Sequence, residues 1–582
     1  MCDISVCECA GTRDAGAGAG AGRPAVDGAE YDFVVVGAGS GGATVAARLA
    51  GRGAERGARG ARVLLLEAGG NPPRASVVPG LLGSLAYSSH DWNYHSVRGE
   101  RAGAAQRGGR APLTRGKMLG GCSSINSMMY TRGNPEDFNE WARMGCENWD
   151  WDTVYPYFLK SEGYEGPELS DPNFAAYHNT EGPMKVTKQR FNDPNVDLKL
   201  DVLLQSLQEI GINSIEDYNG PTQFGISRGY FMHSAPPGVR SSTAECFLRG
   251  GRGGGGAGGA GGSLHVLKHA LATRVLLRGA AAVGVELTRH NKTLHIFATK
   301  EVILSAGAIG TPRLLLASGI GRRDDLERLN VKQIVDLPVG YDLQDHLIVP
   351  IAFTGAPTSF VDQQNPNPKY SLDYFPYPRL NGFFSVSDWS RPQLQLSPYY
   401  FNQSSPLVFK ALNNSLNYVE GVVEPIQKAN ADSEIFMMCL ILLHPKSRGR
   451  IVYHSVDPLA SPDIYLGYLT HDDDLSIMRE GIKKMLRLTE SRYFSGWGAR
   501  AVRLALPTCA GLEYGSDEYW ECYALALART VWHQAGTARA GGAGARGACW
   551  TRRCACAGSG ACAWWTPARC PRCPAATRTP PS

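Results

Sequence analysis

The feature that most constrains the fold is a glycine-rich turn between an apolar strand and a helix. The segment YDFVVVGAGSGGATVAARLA starts at Tyr31 and places the pattern G-x-G-x-x-G on Gly37, Gly39 and Gly42. The Val-rich run before the first glycine is typical of a buried strand, and the Ala-rich run after the last glycine predicts a helix. This order of strand, turn and helix predicts a Rossmann-like α/β domain that binds a dinucleotide.

The residue types within this segment suit a dinucleotide in detail. Gly37 permits the tight turn, Gly39 lets the backbone approach a pyrophosphate, and Gly42 lets the helix pack on the strand. A second apolar strand, ARVLLLEAGG, ends in Glu67, whose carboxylate can accept hydrogen bonds from ribose hydroxyls. The insert GRGAERGARGA lengthens the usual spacing of about 20 residues. The alternative is a glycine-rich turn in another kind of α/β protein.

The composition of the chain bears on its possible partners, on membrane spanning and on disordered segments. A net charge of +5 on 582 residues gives no reason to expect nucleic acid as a partner. No apolar run approaches the roughly 20 residues of a membrane helix, so we expect no membrane span. Low-complexity Gly-rich runs predict a disordered tail over residues 1–29 and a flexible loop over residues 249–263.

A longer motif distinguishes FAD from NAD as the dinucleotide. The segment RGKMLGGCSSINSMMYTRGNPEDFNEW, from Arg115 to Trp141, resembles the first signature of the glucose–methanol–choline (GMC) oxidoreductases, which bind FAD. The resemblance covers Tyr31 to about Thr537. In residue-level detail these segments are most similar to an insect branch of the family that includes glucose dehydrogenase-like enzymes and ecdysone oxidases. Further segments follow in the family's order: HVLKHALATRVLL, SAGAIGTPRLLLASGIG, LPVGYDLQDH and HPKSRGRIVYHSVDPLASPDIYLGYLTHDDD.

The resemblance implies a two-part architecture. A discontinuous FAD-binding domain is expected over residues 30–346, with the Gly-rich loop inside it. A substrate-binding α+β region with an antiparallel sheet is expected over residues 347–537. Residues 538–582 form an aberrant tail outside this pattern.

The resemblance also implies which side chains hold the cofactor. Five residues of the segment from Arg115 to Trp141 should line the flavin and its phosphate arm, and the backbone of Val275 should meet the adenine side. Cys122 departs from the family pattern of Gly, Ser or Thr, and a thiol is a weaker hydrogen-bond donor than a hydroxyl. The five residues are Cys122, Asn126, Ser127, Met128 and Met129.

The family oxidises an alcohol by passing a hydride to the flavin, so a base must remove the hydroxyl proton. The segment TVWHQAGT, from Thr530 to Thr537, resembles the family's catalytic segment and makes His533 the candidate base, with Trp532 beside the flavin. The expected substrate is a small alcohol, sugar or steroid, and the electron acceptor is oxygen or a quinone. No metal is expected, and His346, His444 and His454 are assigned structural roles.

A second active-site residue, His or Asn, is missing from its expected place. In the family it follows the base by about 44 positions, which here falls near Ala576 and Thr577. The closing strand of the FAD domain is also not recognisable. A flavin-binding protein without catalysis therefore remains the alternative function for the chain as written.

The tail itself is explained by a change of reading frame soon after Thr537. Trp has the single codon TGG and every Thr codon begins with AC, so a shifted reading of WWT at Trp564 fits Val-Val-Asp, the family's closing strand. The same rule turns CWT at Cys549 into a segment ending Leu-Asp, which also fits. A zinc site built from the Cys pairs and a natural disordered tail are the alternatives.

The cysteines and glycosylation sequons do not determine whether the protein is secreted. The six Cys between Cys122 and Cys522 have no paired spacing, so most are expected to be free thiols, with one bridge not ruled out. Three glycosylation sequons, at Asn291, Asn402 and Asn413, are compatible with secretion. No basic start and apolar stretch of a signal peptide is visible.

Overall fold

The structure is a computed structural model. It describes residues 26–51, 60–188, 194–234, 238–248, 264–357, 380–539 and 562–564. The predicted N-terminal tail lies almost entirely outside these residues. So do the Gly-rich loop, the tail's Cys pairs and the expected position of the second active-site residue.

The strands of the described residues, numbered in chain order, are β1 Glu30–Val36, β2 Val63–Leu66, β3 Tyr94–His95, β4 Pro112–Leu113, β5 Glu162–Tyr164, β6 Met184–Lys188, β7 Gly225–Arg228, β8 Tyr230–Phe231, β9 Leu264–Leu267, β10 Leu271–Arg278, β11 Ala281–Arg289, β12 Lys292–Leu304, β13 Leu347–Thr354, β14 Leu380–Phe384, β15 Leu394–Leu396, β16 Tyr399–Phe401, β17 Ile435–Leu442, β18 Arg450–Val452, β19 Asp463–Tyr465, β20 Arg529–Thr530 and β21 Cys562–Trp564.

The α-helices, in the same order, are α1 Ser40–Gly51, α2 Arg74–Val77, α3 Pro135–Arg143, α4 Trp151–Ser161, α5 Pro172–Ala175, α6 Pro194–Glu209, α7 Gly307–Ala317, α8 Arg323–Arg328, α9 Pro406–Phe409, α10 Glu420–Asp432, α11 Asp472–Leu486, α12 Arg492–Gly496 and α13 Asp517–Leu527.

The first large sheet contains the predicted dinucleotide turn. Its strands lie in the order β10-β11-β12-β1-β2-β9. The strands β12, β1, β2 and β9 run parallel, while β10 and β11 form an antiparallel extension. Because parallel strands are buried on both faces, β2 reads as the continuous apolar run VLLL and is fully buried. The carboxyl ends of β1 and β2 place the glycine turn and Glu67 at one edge of the sheet.

The second large sheet is antiparallel and has the order β20-β13-β17-β15-β14-β7, with β16 also paired to β17. Its central strand is the apolar run IFMMCLIL, all of whose residues are buried. The antiparallel pairing of β20 with β13 joins Thr530 to Leu347. This pairing brings the segment of the candidate base next to the end of the LPVGYDLQDH motif. The mixed α/β architecture with a second antiparallel sheet confirms the predicted fold class.

The closing strand of the first sheet corrects the sequence analysis. We expected the tail to supply none, yet β21 pairs in parallel with β12 through the register Val302 to Cys562 and Leu304 to Trp564. Backbone hydrogen bonds hold a sheet together, so an extended segment can pair with an exposed strand without the family's side chains. The proposed frame change stays a prediction about the origin of the tail.

One disulfide is formed among the described cysteines. Cys509 and Cys522 are bonded and link α13 to the turn that precedes it, while Cys122, Cys146, Cys246 and Cys439 are free thiols. The sequence left one such bridge open, and the two cysteines carried no recognisable spacing. None of the described helices has the length and apolar character needed to cross a membrane.

Candidate active site

The glycine turn closes so tightly that two of its three glycines are sterically required. A Cβ on Gly37, whose φ is +96°, would lie 2.5 Å from the Ser305 carbonyl oxygen. A Cβ on Gly42 would lie 1.9 Å from the Gly37 carbonyl oxygen, so Gly42 lets α1 pack against the turn. A Cβ on Gly39 would meet nothing within 4 Å, because this residue faces an open cleft. Gly37 and Gly42 therefore have steric reasons to be glycine, while the approach of a pyrophosphate to Gly39 stays a prediction.

Glu67 lies at the end of β2 and is 6% exposed. Its carboxylate accepts hydrogen bonds from the backbone N–H groups of Ala38 (3.0 Å) and Gly69 (2.8 Å). Burial outweighs these bonds and raises the pKa of Glu67 to about 7. The side chain lines the same cleft as Gly39, where its remaining lone pairs can accept from hydroxyl groups.

The residues of this cleft, which we call the cofactor cleft, fit a dinucleotide. Three buried donors along it have no hydrogen-bond partner in the described part of the chain: Ser305 Oγ, Arg115 Nη2 and Arg313 Nη1. Buried donors are normally satisfied, so three unpartnered donors on residues that line one cleft favour a ligand rich in acceptors. The pyrophosphate, ribose and adenine of FAD supply such acceptors, and the N-terminus of α1 adds free backbone N–H groups.

The second signature continues from the cofactor cleft. Cys122 lines the cleft, and its sulfur lies 3.7 Å from Arg115 Nη1. Asn126 is half-buried and Ser127 is exposed, while Met128 and Met129 are buried in the core of the second sheet. The Asn126 carboxamide oxygen accepts from Met128 N–H and from a buried arginine, Arg240, which fixes the turn. Of these five predicted residues only Cys122 lines the cleft itself.

Val275 lies on β10, whose first residues border the cofactor cleft, and its contact with the adenine stays a prediction. Its backbone N–H donates to Ser318 Oγ at 2.8 Å, and its side chain is buried in the core beneath β10. From this segment, the residues that line the cofactor cleft are Ala270, Leu271 and Ala272, at the start of β10.

The candidate base is held by a buried carboxylate. Asp345 Oδ1 accepts from the backbone N–H of His533 at 2.8 Å. Its other oxygen accepts from Thr530 Oγ1, Tyr468 OH and Gln534 Nε2. Burial raises the pKa of Asp345, with the hydroxyl donors acting in the opposite direction. Asp345 therefore fixes the segment on both sides of His533.

The ring of His533 contacts a second histidine. His346 Nδ1 lies 3.0 Å from His533 Nδ1, and the two rings meet edge to face. His346 is fully buried, whereas His533 is half-buried. One Nδ1 must donate and the other accept, so the contact couples the tautomers of the two histidines.

Trp532 adopts a left-handed backbone conformation, with φ of 63°, that bulky residues rarely take. Its indole N–H donates to the Pro112 carbonyl, and its own carbonyl accepts from Arg115 Nη1 at 2.9 Å. Arg115 thus bridges Cys122 in the cofactor cleft and the segment of the candidate base. Strained conformations of this kind cluster at functional sites, where the surrounding structure enforces them.

Sequence reasoning missed several of these residues. The shared motif LPVGYDLQDH contains Asp345 and His346, but nothing local shows that they meet a segment almost 190 positions later. Arg115 and Arg313 lie within quoted motifs, yet only the structure shows their unpartnered nitrogens. The useful signal was the presence of charged residues inside otherwise apolar or glycine-rich signatures.

The fold and this site together define a flavin-dependent oxidoreductase with a dinucleotide-binding domain. The chain matches the description "GMC oxidoreductase" over residues 31–348 and again over residues 445–558. It belongs to the GMC oxidoreductases, FAD-dependent enzymes that oxidise alcohols. The second match ends at residue 558, inside the segment that the sequence analysis assigned to the tail.

Curated relatives cover most of the chain. An ecdysone oxidase of Bombyx mori is 33% identical over 530 residues, which is 88% of this chain and 75% of the relative. A glucose dehydrogenase [FAD, quinone] of Drosophila melanogaster is 32% identical over 520 residues, 88% of this chain and 78% of the relative. Both agree with the branch of the family indicated by the sequence.

Solved structures share the fold at low identity. Pyridoxine 4-oxidase from Mesorbium loti superposes with a TM-score of 0.74 at 22% identity, covering 94% of this chain and 96% of the other. Formate oxidase gives a TM-score of 0.74 at 23% identity, with 95% and 96% covered.

Titration of Glu67 gives the first test of the cofactor cleft. Because its pKa is about 7, FAD affinity should fall as the pH drops through that value, since a protonated carboxyl accepts ribose hydroxyls less strongly. In the FAD-free protein the pKa is raised above that of the unfolded chain, so the contribution of Glu67 to stability declines as pH rises from about 4.5 to about 7.

The measurement is the Kd of FAD by quenching of flavin fluorescence between about pH 5.5 and 8.5. Glu67→Gln should remove most of the pH dependence, while Glu30→Gln, at the exposed start of β1, should leave it unchanged. A parent protein with the same FAD affinity across this range would contradict the assignment.

Proposed function

We propose that the chain oxidises a CH–OH group of a small alcohol, with His533 as the base and the cofactor cleft as the FAD site. The observation that carries the proposal is the contact of His533 with both Asp345 and His346. The neighbouring residue, Trp532, is bonded through its carbonyl to Arg115 of the cofactor cleft. A base held at its backbone and at its ring nitrogen meets the positioning that proton transfer requires.

His533 Nε2 accepts the hydroxyl proton in this proposal. For Nε2 to accept a proton, the hydrogen of the neutral ring must lie on Nδ1, which then donates to His346 Nδ1. His346 then acts as a positioning residue that selects the tautomer, comparable to the buried acceptor behind the histidine of a hydrolase triad. The role replaces the purely structural one assigned from sequence.

The cofactor is held by the glycine turn, by Glu67 and by the three unpartnered donors of the cleft. When bound there, the flavin supplies the acceptor for the hydride that leaves the alcohol carbon. The strained Trp532 segment is joined to the cleft by Arg115, which donates to the Trp532 carbonyl. In this proposal Trp532 lies at the boundary between cofactor and substrate.

The proposed function is tested by reduction of the bound flavin without oxygen. Purified protein should be yellow and should lose its flavin absorbance on addition of a suitable member of a panel of alcohols, sugars and steroids. Reoxidation is then followed with oxygen and with a quinone to identify the acceptor. A flavin that stays oxidised throughout the panel supports the alternative of flavin binding without catalysis.

That alternative is favoured only by the missing second residue near Ala576 and Thr577. The panel should therefore be run on the chain as written and on a version with the frame restored after Thr537. Sequencing the transcript across Thr537 gives the independent result. An intact transcript that encodes the tail as written would defeat the frame-change hypothesis.

Asp345→Asn should lower kcat about 100-fold with little change in KM. The amide NH2 cannot accept the bonds that the carboxylate receives, so His533 shifts, and a displacement of about 1 Å costs roughly that factor. Stopped-flow flavin reduction measures the effect. Asp463→Asn, which alters a carboxylate paired with exposed His454, is the matched control. Equal losses in kcat and flavin content would indicate unfolding and not misplacement of the base.

A further inference from the structure

A row of side chains crosses the second sheet beside the candidate base. Arg529 on β20 lies opposite Ile348 on β13, Ile348 lies opposite Ile441 on β17, and Ile441 lies opposite Gln395 on β15. Directly opposed residues of antiparallel strands project from the same face. These four residues, which we call the cross-strand row, span about 14 Å, because neighbouring strands are about 4.8 Å apart.

The middle of the row is the least completely buried apolar part of the two central strands. Every other Leu, Ile, Val, Met and Phe side chain of β13 and β17 is 2% exposed or less. Ile348 is 6% exposed and Ile441 is 5% exposed, although both lie at the centre of the sheet. Among these apolar side chains the residual exposure is highest at the two opposed residues, on the face that also carries Arg529 and Gln395.

Both ends of the row carry buried polar atoms that need partners. Arg529 is 0% exposed, and only its Nη1 donates, to the Ser415 carbonyl at 3.2 Å. Its Nε and Nη2 have no partner within the described ranges. At the other end, Gln395 is also 0% exposed and donates through Nε2 to Asn381, while its Oε1 has no partner within those ranges.

The charge of Arg529 is not matched by a neighbouring carboxylate. The titratable groups that act most strongly on it are tyrosines, Tyr418, Tyr399, Tyr468 and Tyr87, and burial lowers its pKa. Leaving a guanidinium buried with two unpartnered donors is costly unless an acceptor arrives with a ligand. An oxygen acceptor on the substrate would satisfy both nitrogens at once.

The Arg529 end of the row lies next to the reaction centre. Its guanidinium lies 4.6 Å from the centre of the Trp532 ring. His346, the ring partner of His533, precedes Ile348 by two residues, which places it on the same face of the strand. The Gln395 end is remote from the base.

We propose that the cross-strand row binds the substrate and sets its class. The substrate is an elongated, mainly apolar alcohol with a carbonyl or carboxylate oxygen near the reacting carbon and a hydroxyl at its far end. Arg529 donates to the first oxygen, Ile348 and Ile441 contact the apolar body, and Gln395 Oε1 accepts from the far hydroxyl. The proposal rests on the proposed function and adds the chemistry of the substrate to it.

Matched ten-carbon alcohols separate the parts of this proposal. The parent holoenzyme should prefer 1-hydroxydecan-2-one or 2-hydroxydecanoate over decan-1-ol, and 1,10-decanediol over decan-1-ol. Arg529→Gln should remove the first preference, a loss of about 10- to 100-fold in kcat/KM, as for a charge-assisted hydrogen bond. Gln395→Leu should remove only the second, by about 2- to 10-fold. The ketone and the acid compared directly identify which acceptor is bound.

A binding measurement keeps the inference distinct from catalysis. Decanoate and decan-2-one, which carry no alcohol, are titrated into the oxidised holoenzyme by calorimetry, and Arg529→Gln should weaken the preferred one by the same factor. Arg529→Lys keeps the positive charge but cannot form the bidentate hydrogen bonds of a guanidinium group. It replaces Arg529→Gln in both measurements if the glutamine variant does not fold. Gln106→Leu, at a buried glutamine with unpartnered amide atoms that is not one of the four residues of the row, is the control for Gln395.

The outcomes distinguish the two proposals. Flavin reduction by all these alcohols, with no acceptor preference and no effect of Arg529→Gln, overturns the role of the row and leaves the proposed function intact. Binding of decanoate or decan-2-one that depends on Arg529, without flavin reduction by any alcohol, supports the row and overturns the proposed function.

Discussion

Replacing His533 with Ala should lower the rate of flavin reduction by an alcohol about 10²- to 10⁴-fold, with FAD still bound. The imidazole is the only proposed acceptor for the hydroxyl proton, and its backbone is fixed by Asp345 irrespective of the side chain. The side chain does not line the cofactor cleft, so the loss should fall on kcat and not on flavin content. Stopped-flow absorbance of the flavin measures both quantities on one sample.

The matched control is His454→Ala, which removes an exposed histidine paired with Asp463 far from the sheet ends. His346→Ala gives an intermediate comparison, since it deletes the ring acceptor but keeps the base. The series is measured in the chain as written and with the frame restored after Thr537. A His533 variant within about twofold of its parent would move the base to another residue, since removing a general base costs at least about 10²-fold.

The local part of this site could be predicted from the sequence because its signals are local. The turn needs glycine at Gly37 and Gly42 for reasons that act within one strand and one helix, and the structure reproduces those close contacts. Glu67 at the end of β2 follows from the same unit. A strand, a turn and a helix are specified by neighbouring residues, so their order could be predicted.

The parts that were missed depend on contacts between distant segments. Asp345 and His346 reach His533 only because β20 pairs with β13, and a single sequence does not display strand pairing. The sequence around Arg529 does not distinguish it from the other arginines, whereas the structure shows its burial and its unpartnered nitrogens.

In the tail, the sequence analysis predicted less regular structure than the protein has. Its composition argued against regular structure, and the family's closing strand could not be recognised in it. The structure nevertheless pairs Cys562–Trp564 with β12, since an open strand edge accepts any extended backbone. Pattern matching on side chains therefore underestimates structure that backbone hydrogen bonding can supply.

Gly39→Asp should abolish FAD binding while the protein remains folded, with affinity lowered by about 10³-fold or more. A Cβ at this position meets no protein atom within 4 Å, so the fold can accept the new side chain. The carboxylate, however, enters the cofactor cleft where the backbone should approach the pyrophosphate, and a close pair of like charges costs several kcal/mol. Flavin content per chain after purification and the Kd of added FAD are the measurements.

Two further glycine variants separate charge from shape. Gly39→Asn has nearly the same size as the aspartate without its charge, and it should retain weakened FAD binding. Gly42→Ala places a Cβ 1.9 Å from the Gly37 carbonyl oxygen, so it should lower the unfolding temperature of the protein as well as its flavin content. A folded, yellow Gly39→Asp protein with full flavin occupancy would remove the pyrophosphate from this turn, and with it the basis for placing FAD in the cleft.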